Sequence, residues 1–259
     1  MADFFDQICE VLAENARKYP GRTVNDDAVK EFFSEIKKPS APPVPSAAAV
    51  ETVEEKPELP PSAAAPEAVY AGGDLEKLAA AMQNCRRCHL ADKRTHVVFG
   101  EGDPQAKLMF VGEAPGMDED ISGRPFVGKA GQLLDKMINA MQFSREEVYI
   151  ANVVKCRPVG NRNPAPDEIS KCIGCLHRQI ELIRPEVIVV LGAVAAKALL
   201  ATEDGISRMR GKWCSFENIP VMPTFHPAFL LRQESAKKEA WQDLQQVMAR
   251  FGKFHRGKR

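Results

Sequence analysis

Four short apolar runs, Leu108 to Val111, Val148 to Val154, Val187 to Leu191 and Ile219 to Thr224, punctuate the later two thirds of the chain. The first three are each followed by a stretch at helical spacing: Lys129 to Met141, with Leu133, Leu134, Met137 and Met141 on one face, then Pro166 to Ile183 and Ala193 to Leu200. The fourth run leads through His226-Pro227-Ala228-Phe229-Leu230-Leu231-Arg232 into a last helical stretch, Ser235 to Phe251. Near-continuous apolar strands alternating with helices predict an α/β fold: a three-layer α/β/α sandwich around a parallel sheet of about four strands. Ligands of such sheets bind beyond the carboxyl ends of the strands. The segments Gly112 to Gly116, Asn152 to Pro158 and Thr224 to Phe229 all fall at those ends, so they are expected to meet on one rim.

The connection from the first strand to its helix, Gly112 to Gly128, has the make-up of a site. It holds four glycines, two prolines, the acid run Asp118-Glu119-Asp120 and one aromatic, Phe126. Glycine lets backbone N–H groups approach a ligand, and a helix start offers unpaired donors. The loop matches neither a dinucleotide fingerprint nor a phosphate loop, since Ala130 follows Lys129 where a phosphate loop needs a hydroxyl.

The N-terminal part is of another kind. Residues 1–38 read as short amphipathic helices with Phe4, Phe5, Ile8, Leu12, Val29, Phe32 and Phe33 as apolar positions. Residues 39–73 form a Pro/Ala-rich linker that cannot bury a core, with eight of the chain's 19 prolines between positions 39 and 66. The appendage is either a docking module for a protein partner or a dispensable extension, and residues 74–259 are expected to form the main domain. The overall net charge of zero divides into −6 over residues 1–73 and +6 over the rest. A mildly basic domain, ending in Lys253-Phe254-His255-Arg256-Gly257-Lys258-Arg259, is compatible with a polyanionic partner. No apolar run approaches the roughly 20 residues of a membrane span. The acidic start, Met1-Ala2-Asp3-Phe4-Phe5-Asp6, does not suit a signal peptide, which makes a cytoplasmic protein the expectation.

Seven cysteines are too odd a number for a disulfide framework. Two CxxC pairs, Cys85/Cys88 and Cys172/Cys175, with Cys156 sixteen residues before the second, suggest metal. By spacing alone, Cys85, Cys88, Cys172 and Cys175 could hold a tetrahedral zinc ion, or thiolates of this set could hold an iron–sulfur cluster. Five candidates compete for four places.

Taken together, CxxC at Cys85 and Cys88, Gly112 to Asp120 with Ser122 to Leu134, Asn152 to Pro158 with Asn161 to Cys172, and Thr224 to Arg232 resemble the family-4 uracil-DNA glycosylases. The resemblance covers about Asp74 to Phe251. It implies a monomeric, monofunctional enzyme of base-excision repair that acts on uracil-containing DNA, single- or double-stranded, and carries a [4Fe–4S] cluster. It further implies Cys85, Cys88, Cys156 and Cys172 as cluster ligands, leaving Cys175 as a bystander. It implies Gly112, Glu113 and Ala114 as the border of the uracil site, Phe126 as the ring that stacks on the base, Asn152 as the amide that reads it and His226 as the catalytic histidine.

The residue types suit that chemistry. A base must leave the duplex before its glycosidic bond can be cut, at a cost of a few kcal/mol. Stacking on an aromatic ring, worth about 1–3 kcal/mol, offsets much of it. A fixed asparagine amide pairs with the O4 acceptor and N3–H donor of uracil and opposes cytosine, whose pattern is reversed. A neutral imidazole at His226 would stabilise charge growing on uracil O2. Glu113, Glu119 and Asp120 are all candidates for the carboxylate that positions water. Lys155, Arg157 and Arg162 are expected to grip phosphates. Leu230, with Leu231, stands at the spacing of a wedge that fills the gap left by the extruded base. Two other readings stay open: a related glycosylase for another deaminated base, and a zinc-ribbon module that binds DNA without cutting it.

Overall fold

A computed structural model describes residues 74–253; the predicted helical appendage and linker lie outside the described residues. The elements, in chain order, are α1 (Leu75–Gln83), β1 (Glu101–Gly102), β2 (Leu108–Gly112), α2 (Met117–Ser122), α3 (Lys129–Ala140), β3 (Tyr149–Asn152), α4 (Pro166–Ile183), β4 (Val187–Leu191), α5 (Ala193–Leu200), α6 (Ile206–Met209), β5 (Cys214–Phe216), β6 (Ile219–Thr224), α7 (Pro227–Arg232) and α8 (Lys237–Arg250).

The sheet order is β1-β3-β2-β4-β6-β5. The four predicted strands are its parallel centre, β3-β2-β4-β6. Two short edge strands, β1 and β5, were not predicted and pair antiparallel, which makes a mixed sheet of six. Every residue of β2, β3 and β4 is buried, as strands covered on both faces require.

Alternate residues feed two cores. Leu108, Phe110, Val189 and Leu191 pack with α3 and α8; Met109, Val111, Ile188 and Val190 pack with α1, α4 and α5. The expected three layers follow from this alternation. At the carboxyl ends, main-chain bonds continue past the strands, from Val153 N–H to the Gly112 carbonyl, Val154 N–H to the Glu113 carbonyl, and Gly192 N–H to the Thr224 carbonyl. The rim that carries the distinctive residues is thus an extension of the sheet. Among the described residues, no helix is long and apolar enough to cross a membrane.

Candidate active site and cysteine cluster

The loops beyond β2, β3 and β6 enclose a cleft of about 470 Å³. Glu113, Ala114, Phe126, Asn152 and His226 all line it, so segments distant in sequence meet where the strand ends predicted. Gly112 stands behind this wall. A Cβ there would lie 2.4 Å from Asn152 Oδ1 and 2.5 Å from Phe126 Cζ, and the absent side chain is what lets amide and ring sit together.

Asn152 is 1% exposed, and its Oδ1 has no hydrogen-bond partner. Buried acceptors are nearly always paired, so an orphan acceptor in a cleft wall marks a place for a donor from a ligand. Phe126 is held in the left-handed region, φ +51°, a conformation that costs a non-glycine residue energy and survives only where its surroundings impose it. Arg145 imposes it. Its guanidinium donates to the carbonyls of Pro125 and Phe126 and pairs with Glu101 and Asp135. Gly131 permits the tight approach of α3, since a Cβ there would lie 1.9 Å from the Phe126 carbonyl oxygen.

The His226 and Phe126 ring centroids are 5.6 Å apart. Nδ1 of His226 accepts the Ala228 N–H at 3.1 Å as the cap of α7, so the ring proton belongs on Nε2. Burial, with the nearby Arg232 charge, lowers the imidazole pKa to about 4, against a smaller opposing pull from Glu119. The ring is therefore neutral at physiological pH. Gly192, at φ +91°, lets β4 pass close beneath it, where a Cβ would lie 3.0 Å from His226 Cβ.

The three candidate carboxylates differ in what already occupies them. Glu119 Oε1 accepts the N–H groups of Val127 and Gly128, and Oε2 that of Gly116; it clamps the loop. Asp120 is 3% exposed and accepts the N–H groups of Thr95 and His96. Glu113 lines the cleft, and burial raises its pKa. The acid run itself opens α2, where the helix N-terminus favours negative charge, a short helix inside the stretch that the sequence predicts as loop.

Two expectations need correction. Leu230 is fully buried in the core against α3 and α8, so it packs the start of α7 and does not reach outward as a wedge. Its neighbour Phe229 is 36% exposed and lines the cleft. Lys155 is also fully buried and cannot reach a phosphate. Arg162 is exposed but engaged, making two bonds to Glu168.

The five candidate cysteines gather on the α1/α4 side of the sheet. Cys156, Cys172 and Cys175 are buried in the second core, with Cys85 and Cys88 packed against it. Burial first, then neighbouring thiols, pushes Cys172 up to about 12 and Cys175 up to about 11 and raises Cys88 and Cys156. Left alone, these groups would stay protonated; a metal ion or cluster bound here would make thiolates of them. Donors already face two sulfurs: Arg94 Nη1 lies 3.2 Å from Cys156 Sγ, and the Lys155 N–H 3.3 Å from Cys172 Sγ. Among the described residues, no three His, Cys, Asp or Glu side chains converge closely enough to hold a single ion. A set of soft thiols suits a zinc ion or an iron–sulfur cluster, and in a [4Fe–4S] cluster each of four thiolates would bind its own iron.

Glu168, which the sequence did not single out, joins the segments that carry these cysteines. Its side chain is fully buried on α4 and bonds His89 Nε2 (2.7 Å), the Arg162 guanidinium and the Ala165 N–H (2.6 Å). His89 follows Cys88, Arg162 lies on the loop after Cys156, and Cys172 is one turn along α4. The Arg162 pairing holds the Glu168 pKa at about 2.

Against known proteins, residues 99–245 match the family model described as "Uracil DNA glycosylase superfamily". A protein of Archaeoglobus fulgidus named type-4 uracil-DNA glycosylase is 42% identical over 187 residues, 69% of this chain and 94% of the relative. Proteins of the same name from Sulfurisphaera tokodaii (44% over 182 residues, 67% and 83%) and Thermotoga maritima (45% over 165 residues, 62% and 85%) are similarly related.

Proposed function

We propose that this chain, which belongs to the uracil DNA glycosylase superfamily and groups with its type-4 members, is a uracil-DNA glycosylase of base-excision repair. It flips uracil out of DNA and hydrolyses the N-glycosidic bond, releasing free uracil and leaving an abasic site. The observation that carries this reading is the unpaired Oδ1 of buried Asn152 beside the Phe126 ring. That acceptor suits the N3–H donor of uracil, and its NH₂ partner suits O4; cytosine would set donor against donor and acceptor against acceptor.

The bond breaks with electrons flowing onto uracil O2 and positive charge left on the sugar. His226, neutral with its proton on Nε2, donates to O2 more strongly as that charge grows. Glu113 is the carboxylate left free to stabilise the sugar cation and orient water, because Glu119 and Asp120 are spent on the backbone. Phe126 provides the stacking surface that offsets extrusion. Gly112 and Ala114 keep the border of the site narrow.

Cys85, Cys88, Cys156 and Cys172 are the proposed ligands of a [4Fe–4S] cluster, with Cys175 as bystander. When bound, the cluster supplies a rigid, redox-capable centre that braces the loops bearing its ligands. Every step at the base is left to the side chains above. Purified protein that is brown and contains iron supports this, and colourless, zinc-containing protein opposes it. Uracil-containing DNA, single- or double-stranded, is the proposed partner of a monomer working in the cytoplasm.

The activity is tested with oligonucleotides that each carry one uracil, hypoxanthine or xanthine, followed by alkali. Strand scission only at uracil is the expected result. Scission mainly at a purine would favour a glycosylase for another deaminated base, and none at any of them a non-catalytic DNA-binding module.

A further inference from the structure

Among the described residues, four large hydrophobic side chains are exposed: Met117 (54%), Ile121 (57%), Val159 (60%) and Phe229 (36%). Exposed apolar groups scattered singly over a surface carry no message. These are not scattered. Met117 and Phe229 line the cleft, and Val159 lies between Pro158 and Asn161, which line it too. Each of the three loops that enclose the proposed base site, those beyond β2, β3 and β6, thus carries one exposed apolar side chain at the opening. The exposed cations Lys129 and Arg232 line the same cleft.

Two of these side chains have no role in the base site described above, yet both stand on fixed backbone. Met117 is the first residue of α2, and Glu119 secures that helix start by accepting the Gly116 N–H at 3.0 Å. Val159 opens a single turn closed by the Asn161 N–H on the Pro158 carbonyl at 3.0 Å. Gly160 and Asn161 follow in the left-handed region, at φ +68° and +55°. Arg157 Nε donates to Asn161 Oδ1 at 2.6 Å and holds the turn in that form. Backbone of this kind persists only where its surroundings impose it, and it gathers at functional sites.

The occupant follows from the site that these residues surround. Uracil enters through this opening, so its neighbours in the same strand must pass over it, spaced by about 3.4 Å per nucleotide where the strand is stacked. Everting one base takes a stacking partner from each neighbour and leaves two bare faces. Any base can stand beside uracil, so a group that covers those faces must be indifferent to sequence. Contact with a base's π-face meets that need, because every base has one. Methionine, unbranched and polarizable, adapts to partners of different shape.

We propose that Met117 and Val159 form a platform for the unstacked bases that flank uracil in its own strand, with Lys129 and Arg232 facing the phosphates between them. This deepens the glycosylase reading and rests on it. The footprint on DNA then extends beyond the everted nucleotide to the base on either side. Both occupants belong to the uracil-bearing strand, so they are present with or without a complementary strand, unlike the gap that a wedge fills.

The test measures equilibrium binding of the full-length protein, by fluorescence anisotropy, to single-stranded oligonucleotides that carry one non-hydrolysable 2′-fluoro-2′-deoxyuridine. One oligonucleotide has thymine on both sides of it. The other has abasic tetrahydrofuran there, which keeps the phosphates and removes the bases. Wild type should bind the abasic-flanked strand about tenfold more weakly, near the low end of what base contacts contribute. The double variant, Met117→Ser with Val159→Ser, should bind the thymine-flanked strand about tenfold more weakly than wild type does and should hardly distinguish the two strands. Ile121→Ser, equally exposed but outside the cleft wall, should behave as wild type. A wild type indifferent to the missing bases, a double variant with the same deficit on both strands, or a matching deficit in Ile121→Ser would overturn the proposal. The glycosylase reading fails separately: it is decided by strand scission at deoxyuridine by wild type, a result that the binding comparison does not enter.

Discussion

A methyl group on Gly112 would stand 2.5 Å from the Phe126 ring and 2.4 Å from the Asn152 amide oxygen. Both distances are far inside van der Waals contact, so the side chain missing from β2 sets the width of the proposed base site. Gly112→Ala must push ring or amide aside by more than a few tenths of an ångström. A misplacement approaching 1 Å at a reacting centre costs about 10²-fold in rate, and overpacking costs about 1–3 kcal/mol of stability. Steady-state kinetics with a uracil oligonucleotide should show that drop in kcat/KM while thermal melting still reports a folded, cooperative domain.

His226 makes a prediction with a pH signature. Losing its donor to uracil O2 should lower kcat of His226→Ala by about 10²–10³-fold. Burial, together with Arg232, sets the ring's pKa at about 4, so wild-type kcat should be insensitive to this group above about pH 6. Below that, a proton arriving on Nδ1 takes away the acceptor for the Ala228 N–H. The stability effect has the same sign. Between pH 6.5 and about 4, the folded ring binds fewer protons than the unfolded one, so its contribution falls as pH falls through that window. Urea melts of wild type and His226→Ala at pH 7, 6 and 5 should show a shallower decline for the variant.

Much of this arrangement was readable in the chain, for physical reasons that differ by element. The strands at the centre of the sheet are buried on both faces and so appear as unbroken apolar runs. The helices Pro166–Ile183 and Ala193–Leu200 begin and end where the hydrophobic spacing does. β1 and β5, with two and three residues, are too short to show a period. The six residues of α2 were hidden inside a loop rich in glycine and proline. Leu230 and Phe229 differ by one position on a single helical turn, and which of them faces inward depends on how α7 meets α3 and α8. The partners of Lys155 and Glu168 come from residues up to 79 positions away along the chain, at His89 for Glu168 and Gln179 for Lys155, and no local pattern encodes such pairings.

Glu168 carries an acid-stability prediction. Its carboxyl pKa is lowered to about 2, first by the Arg162 bonds. A lowered carboxyl pKa contributes stability that is fully present above the unfolded value near 4.5 and is lost as pH falls toward 2. Because His89 and Arg162 both reach solvent, the contribution is at most about 3 kcal/mol. Glu168→Gln should therefore melt lower than wild type at pH 6, and the difference should shrink steadily as both are taken below pH 4. The same variant loosens the three cysteine-bearing segments from one another, so faster loss of iron at pH 7 is the second expected readout.

The group that fills the duplex when the base leaves can be told from its neighbour by substrate form. Phe229 is partly exposed at the cleft, on the turn of helix that His226 caps, and its ring sits 5.0 Å from that of Phe225, which is buried. Leu230 points the other way, into the core. A side chain inserted between base steps matters only where there is a stack to hold open. Phe229→Ala should thus reduce excision from a uracil-containing duplex several times more than from the same strand alone, with little change in melting temperature. Leu230→Ala empties a packed core position, which costs about 2–5 kcal/mol. Its loss should be similar on both substrates and track a lowered melting temperature. Equal losses on both substrates for Phe229→Ala would return that ring to a packing role against Phe225 and leave the wedge to another residue of the rim.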